Sequence, residues 1–322
     1  MVLVVVAGFF AFTLVSRWHQ VTAVKWSLDP ALFALACLVL ALSYALVAGL
    51  WAVALASVSP VAVTAGARIW FLSNLARYVP GNVWSFVGAV ELARREGAPR
   101  RTTLTVMALT QALSVGLALL IGLPVLLAEW TRLGRPALLG LAVAVGLALL
   151  ALVLWRRLER LLRRRWPELG LVLDRLLRRA GGTAGARGDA GAERLVLPSR
   201  GLTLGLAGGY ALYWVVTGLA FAALVRGLFP LAGSAVPLAV AGYAASYAVG
   251  FLSLLTPAGL GVREAVLVLA LAPVIPAGPA LVVALVSRLW MMAFELLGAA
   301  AAYVVDRVLH PATGQDAPKL RG

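Results

Sequence analysis

Residues 64–93 read TAGARIWFLSNLARYVPGNVWSFVGAVELA, and residues 257–265, inside a second apolar region over 237–272, read PAGLGVREA. Each region is interrupted at its centre by a Pro-Gly element, Pro80-Gly81 in the first and Pro257-Ala258-Gly259 in the second. Proline has no amide N–H and its ring crowds the preceding turn, so an unbroken helix through either point is unfavourable. After the breaks, 81–93 and 262–272 offer 13 and 11 residues, about 20 and 17 Å of helix. A hydrocarbon layer is ~30 Å thick. The pattern therefore predicts two re-entrant pairs of half-helices, which are tolerated only where their backbone faces a cavity or other protein.

Composition makes the membrane the only plausible solvent. Of the 322 residues, 62% are apolar and 13% charged, with a mean hydropathy of +0.95. Soluble domains sit nearer ~45–50% apolar, and this chain has too little polar surface to cover so much hydrocarbon. Spanning helices are predicted over 30–56, 102–128, 137–155, 201–225 and 280–305, with a sixth, shorter one at 2–16. No basic leader precedes 2–16 and no clean cleavage site follows it, so it reads as a membrane helix rather than a removed signal. The expected fold is an all-α polytopic membrane protein, with six spanning helices plus two re-entrant half-helix hairpins. The breaks lie 177 residues apart, Pro80 to Pro257. One hairpin enters from each side, as in an inverted repeat.

The expected organisation is an N-terminal membrane half (1–155), a basic loop (156–200), a C-terminal membrane half (201–305) and a tail (306–322). Net charge is +15, with 12 of the 28 Lys/Arg inside 156–200. Such clustering between apolar stretches places that loop in the cytoplasm, and six spans then put both termini inside as well. Charge counting does not separate re-entrant pairs from full crossings; the short half-helices do. Within the loop, 155–179 carries leucines at helical spacing opposite arginines, which fits a helix on the inner leaflet or a solvated connector. Residues 180–193 read as a flexible Gly/Ala-rich linker. No aromatic-interleaved basic domain exists, so nucleic acid is not an expected partner.

The breaks also nominate a site. A half-helix starting inside the membrane leaves its first amides without intrahelical acceptors, and its dipole favours an anion there. The amides of Gly81, Asn82 and Trp84, and those of Gly259 and Gly261, fill that role in this reading. Arg77 lies one turn before the first break and Arg263 just after the second, which suits a phosphate. Glu91 and Glu264 are expected to pair with these arginines when the site is empty. Arg288 and Glu295, seven residues apart, share one face of the last span and either line the same cavity or form a structural pair. An intramembrane charge costs at least ~2.5–3.5 kcal/mol, so a functional reading is the default. Arg68 is expected to snorkel to the surface. Trp70, Tyr78, Tyr210, Tyr213, Trp214 and Trp290 read as interface belts or packing, and Trp84 as a further headgroup contact. The small residues of 241–246 and 298–302 read as points of close helix packing.

Tyr78-Val79-Pro80-Gly81-Asn82-Val83-Trp84 with Arg94-Arg95-Glu96-Gly97 resembles the first signature of the lysylphosphatidylglycerol synthase transmembrane (flippase-like) family. The stretch from Pro257 to Ala265 is similar to its second, and Ser287-Arg288-Leu289 falls where that family carries an Arg in its last helix. The resemblance implies a bacterial cytoplasmic (inner) membrane protein that moves a lipid between leaflets. In fused members the lipid is an aminoacylated phospholipid, and in stand-alone members other lipids, including polyprenyl-linked sugars. With the chain ending at Gly322, the expectation is a stand-alone member without the aminoacyl-transfer domain.

Three functions are then in play. The first is a translocase for an anionic phospholipid or a polyprenyl-phosphate-linked lipid. The second is a membrane-embedded lipid-phosphate transferase, and the third a non-transporting scaffold for a cell-envelope glycosyltransferase or other envelope enzyme. The sequence leans away from an enzyme. Two histidines, His19 and His310, fall outside the spans, Cys37 stands alone, and no Asp-x-Asp or Ser/His/Asp grouping is present. No metal or cofactor is expected.

Overall fold

The structure is a computed structural model that describes residues 15, 28–78, 84–133, 197–253 and 259–309. Apart from turns and short connections these residues are helical, with no strands among them. Eight α-helices follow one another: α1 (Pro30–Ala56), α2 (Val63–Asn74), α3 (Trp84–Arg95), α4 (Arg100–Leu133), α5 (Arg200–Leu228), α6 (Val236–Leu252), α7 (Val262–Leu271) and α8 (Ala277–Leu309). A 3-10 turn, Leu75–Tyr78, extends α2, and another, Gly233–Ala235, leads into α6. Residues 2–14, 137–155, the basic loop up to 196 and the tail from 310 were assigned above but lie outside the described residues, as do the centres of both breaks.

Long helices begin where the sequence supplies caps. The Asp29 carboxylate accepts from the amides of Ala31 and Leu32, at 2.9 and 3.2 Å, with Pro30 as the first helical residue of α1. Ser199 does the same for α5, accepting from Leu202 at 3.2 Å. These side chains satisfy donors that the first turn leaves open, and proline costs nothing at that position.

Among the described residues, five helices are long and apolar enough to cross a membrane: Pro30–Ala56, Arg100–Ala128, Arg200–Leu228, Gly233–Leu252 and Ala277–Val305. Four match expected spans. The fourth in that order is the first limb of the second broken region, which reaches further than the half-helix expected there. In contrast, α2 and α3 have 12 residues each and α7 has 10, about 15–18 Å of helix.

Element lengths run long, short, short, long through α1–α4, and long, intermediate, short, long through α5–α8. The first helices of the two sets lie antiparallel. The Asp29 amide at the start of α1 donates to the Gly227 carbonyl near the end of α5 at 2.9 Å. Leu50, late in α1, packs on Gly209, early in α5. Each second helix packs on the last helix of the other set, α6 on α4 and α2 on α8. At the α4–α6 crossing, a Cβ on Gly122 would lie 2.7 Å from the Ala245 backbone, so only glycine lets these helices approach so closely. The predicted small residues work in the same way, Gly242 facing Ala270 and Gly298 facing Phe71. Outward-facing positions are hydrocarbon, such as Leu38, Leu42, Leu212, Leu289 and Leu296. On α8 the charged residues Arg288 and Glu295 are buried while their neighbours Leu289 and Leu296 are exposed. Apolar groups face out and polar groups face in, as expected of a bundle in lipid.

Candidate functional site

All eight helices contribute side chains to one cavity of about 140 Å³ at the centre of the described bundle, room for roughly ten waters. Its lining mixes aromatic rings (Tyr44, Trp70, Tyr210, Tyr213, Tyr247), neutral polar groups (Asn74, Thr110, Gln111, Ser114) and the charges of Arg77, Arg263, Arg288 and Glu295. The three arginines arrive from separate elements, the turn after α2, the first turn of α7 and the middle of α8. Arg288, Met291 and Glu295 sit three and four residues apart, so they form one inward stripe on α8.

That stripe orders the site. At one end Arg288 lies near Glu264 of α7, Nη1 to Oε1 at 3.8 Å, with both side chains buried. At the other end the Arg77 Nη1 donates to Glu295 Oε1 at 3.0 Å, and the Tyr44 hydroxyl donates to the same oxygen at 3.0 Å. Arg77 also donates through Nη2 to the Asn74 side-chain oxygen. Between the two ion pairs sits Arg263, whose guanidinium carbon lies 5.4 Å from the ring centre of Tyr243 and 5.3 Å from that of Tyr247. Its Nη2 approaches the Met291 sulfur at 3.5 Å. Arg263 is 8% exposed, and among the described residues no carboxylate forms an ion pair with it. Two aromatic faces are soft partners for a buried cation, worth ~0.5–2 kcal/mol each, and the Met291 thioether lies beside them.

The local sequence explains how Arg263 is held. Tyr243, Tyr247 and Gly250 recur at helical spacing on one face of α6. A Cβ on Gly250 would come within 2.8 Å of the Arg263 Cγ, so the bare glycine gives the arginine stem its path along α6. Gly259 also approaches Gly250, and a Cβ there would lie 2.9 Å from its Cα. Gly259 and Gly261 have φ of 71° and 85°, left-handed values that side chains disfavour. The glycines of the second signature therefore shape a turn that lies against α6.

Several expected roles change with this geometry. The Gly261 amide is not open to an anion, because the Glu264 carboxylate reaches back and accepts from it at 2.7 Å. This is the usual way an acidic residue at the third helical position covers an open donor. Glu264 thus covers its own helix start and lies near Arg288; it makes no ion pair with Arg263, though its charge still acts on that guanidinium. Glu91 does not pair with Arg77: Arg94 and Arg95 hold it locally at 3.0 and 3.5 Å on the surface of α3. The partner of Arg77 is Glu295, 218 residues away in sequence. Trp84 is 44% exposed and outside the cavity lining, as are Gly259 and Gly261. Arg68 pairs with Glu96. Pro80, Gly81, Asn82 and Pro257 lie outside the described residues.

Other lining residues escaped the sequence reading. Trp70, Tyr210 and Tyr213 line the cavity rather than a membrane interface, and Tyr44, Asn74, Gln111 and Tyr247 join them. The signal that marks them is polar residues three or four apart inside apolar helices, as in Asn74 and Arg77, Gln111 and Ser114, or Tyr210 and Tyr213.

An all-helical bundle with five apolar helices of spanning length and a charged interior is a multi-pass membrane protein. The chain belongs to the family of the lysylphosphatidylglycerol synthase TM region, whose family model matches residues 1–298. Membership places it among membrane proteins of lipid or cell-envelope biology. No curated protein matches the chain.

Proposed function

We propose that this protein is a lipid translocase of the bacterial cytoplasmic membrane, carrying an anionic phospholipid or polyprenyl-phosphate-linked headgroup through the central cavity. The observation that carries the reading is Arg263. A cation withdrawn from water needs compensation, and the aromatic pair supplies only part of it. A lipid phosphate arriving at the cavity would supply the rest through charge-assisted hydrogen bonds. Arg77 and Arg288, each already beside a carboxylate, make the surroundings hospitable to an anion without adding much uncompensated charge.

The architecture suits such a task. Two similar successions of helix lengths, with α1 and α5 antiparallel, favour an inverted repeat around a central site. We read α2–α3 as a re-entrant pair, and α6–α7 as a longer limb returning through a half-helix. Six spans, both termini in the cytoplasm and the basic loop on that side complete the topology. Acyl chains would remain in the bilayer while the two halves rock around the headgroup.

The test is leaflet exchange in liposomes containing the purified full chain and a fluorescent phosphatidylglycerol. Wild type is expected to exchange the label, and Arg263→Ala to slow exchange roughly thirtyfold or more, the scale of removing one partner of a buried charge interaction. Equal exchange by both proteins would overturn the proposal. Turnover of a lipid-phosphate donor without exchange would make it a transferase. Absence of both activities, with stable co-purification of an envelope glycosyltransferase, would make it a scaffold.

A further inference from the structure

The 177-residue spacing of Pro80 and Pro257 extends beyond the breaks. Helix α4 starts at Arg100 and α8 at Ala277, again 177 residues apart. At the same offset Trp70 corresponds to Tyr247, Phe86 to Arg263 and Gln111 to Arg288, and all six line the cavity. Matching positions of α2–α4 and α6–α8 therefore share its wall. Burial keeps the same register in the first half of each long helix. Val106 and Val283 are both buried, as are Thr110 and Ser287.

Further along, the match fails in one direction. Leu119 of α4 is fully buried, while its counterpart Leu296 on α8 is 55% exposed. Val115 is buried and its counterpart Met292 only half-buried. Leu119 and Val115 belong to the core built with α5 and α6, so α8 lacks the matching cover from α1 and α2. The crossings agree. Helix α4 meets the backbone of α6 at Gly122 and Ala245, whereas α8 meets α2 through a ring edge, Gly298 against Phe71. Helix α4 packs along α5, whereas long side chains join α8 to α1: Trp290 Nε1 donates to the Cys37 sulfur at 3.3 Å and the Tyr44 hydroxyl to Glu295 at 3.0 Å.

Two matching interfaces, one tight and one loose, suit an inverted repeat resting at one end of a rocking motion. Exchanging the conformations of the two halves gives the other end, each helix adopting contacts that its counterpart already makes. The exchange has a specific chemical consequence. Across α4 and α6, the Gln111 amide donates to the Tyr247 hydroxyl at 3.3 Å. The counterparts of that pair are Arg288 and Trp70, across α8 and α2. Here Arg288 lies beside Glu264 of its own half, at 3.8 Å. Closing α8 on α2 would carry its guanidinium to an indole face, the best aromatic partner for a cation.

We infer a second state in which α8 closes on α1 and α2, burying Leu296 and Met292, while α4 opens from α5 and α6 and Trp70 takes the guanidinium of Arg288. This rests on the translocase reading and gives its rocking motion defined end points. Trp70 is then a positioning residue of the second state.

The experiment measures two distances by pulsed electron paramagnetic resonance, on the full chain in nanodiscs of phosphatidylglycerol. Spin labels are attached in a Cys37→Ser background, through Ser57→Cys with Val304→Cys and, separately, Leu127→Cys with Arg226→Cys. The first pair reports α1 against α8, the second α4 against α5, and all four positions are exposed. Wild type is expected to favour the longer Ser57–Val304 distance, with a minority at a shorter one. Gly122→Ala puts a Cβ within 2.7 Å of the Ala245 backbone. It should shift the population about fivefold or more towards the shorter distance, the scale of overpacking, and lengthen Leu127–Arg226 in step. Tyr247→Phe keeps the ring beneath Arg263 and loses the hydroxyl that Gln111 uses. It should shift the population the same way, about threefold, and decides the matter if the glycine variant does not fold. Trp70→Leu, or Arg288→Met, added to either variant should reverse the shift.

A single, unchanged Ser57–Val304 distance in wild type and variants would overturn the second state. A shift that survives both Trp70→Leu and Arg288→Met would overturn the seat at Trp70. Two distances without leaflet exchange would uphold the state change and remove the translocase reading; leaflet exchange with one distance throughout would do the reverse.

Discussion

Arg77 and Arg263 flank the two breaks of the chain, yet the fold treats them in opposite ways. The side chain of Arg77 is 28% exposed, with Glu295 and Asn74 as hydrogen-bonding partners. Arg263 is more deeply buried and has two tyrosine rings and a methionine around it. Residues that look equivalent beside similar motifs thus divide the work. One neutralises a buried carboxylate and ties α2 to α8, and the other rests on two aromatic rings, with no carboxylate in ion-pair contact among the described residues. In the proposed function, the cation that matters is the one whose compensation is less complete.

Removing each charge should therefore harm different properties. Arg77→Ala leaves Glu295, 2% exposed, as a buried carboxylate without its guanidinium, which typically costs about 3–5 kcal/mol. The apparent Tm in detergent should fall clearly, and Arg77→Met with Glu295→Gln should recover most of it. An unchanged Tm in the single variant would break the contrast at its structural end. Arg263→Gln should show the reverse, with exchange down roughly thirtyfold and Tm held or slightly raised, because a poorly compensated charge has been removed. If Tm fell as far as in Arg77→Ala, Arg263 would be a structural residue like its counterpart.

The same contrast explains what could be read from sequence. Arg77, Arg263, Arg288 and Glu295 were legible because charge within apolar helices is expensive, and all four line the cavity. Their pairing was not legible. Glu295 reaches Arg77 only because α8 packs on α2, a crossing that no local pattern encodes. Glu91 is expected from sequence to pair with a cavity arginine, whereas Arg94 and Arg95, three and four residues on, are its helical partners. The break at the second signature was legible as a break, but Gly259 and Gly261 serve φ and Gly259 also close approach, and the Gly261 amide is taken by Glu264. Tyrosines were the hardest to place. Tyr210 and Tyr213 look alike whether they meet headgroups at an interface or a cavity between helices, since both settings offer one apolar and one polar side.

Gly250 sharpens the comparison further, since it acts on Arg263 alone. A Cβ at this position would lie 2.8 Å from the Arg263 Cγ, closer than packed carbons allow. The arginine stem must shift, and with it the guanidinium over Tyr243 and Tyr247. Gly250→Ala is expected to reduce exchange about fivefold, because overpacking of this kind costs ~1–3 kcal/mol and the first atoms to yield belong to the functional side chain. Exchange at the wild-type level would mean that Arg263 need not rest on α6 to work.

The smallest effect is expected from Glu91, and it tests the partner assignment from the opposite side. If Glu91 belonged to Arg77, its loss would leave a membrane-embedded cation uncompensated and would be felt in both Tm and exchange. The geometry instead puts it on the surface of α3, 40% exposed and between Arg94 and Arg95. Exposed pairs of this spacing contribute about 0.3–0.5 kcal/mol. Glu91→Gln should therefore leave leaflet exchange unchanged and move Tm by no more than about one or two degrees. A loss comparable to that of Arg77→Ala would return Glu91 to the cavity and take Glu295 out of its role as the counter-charge.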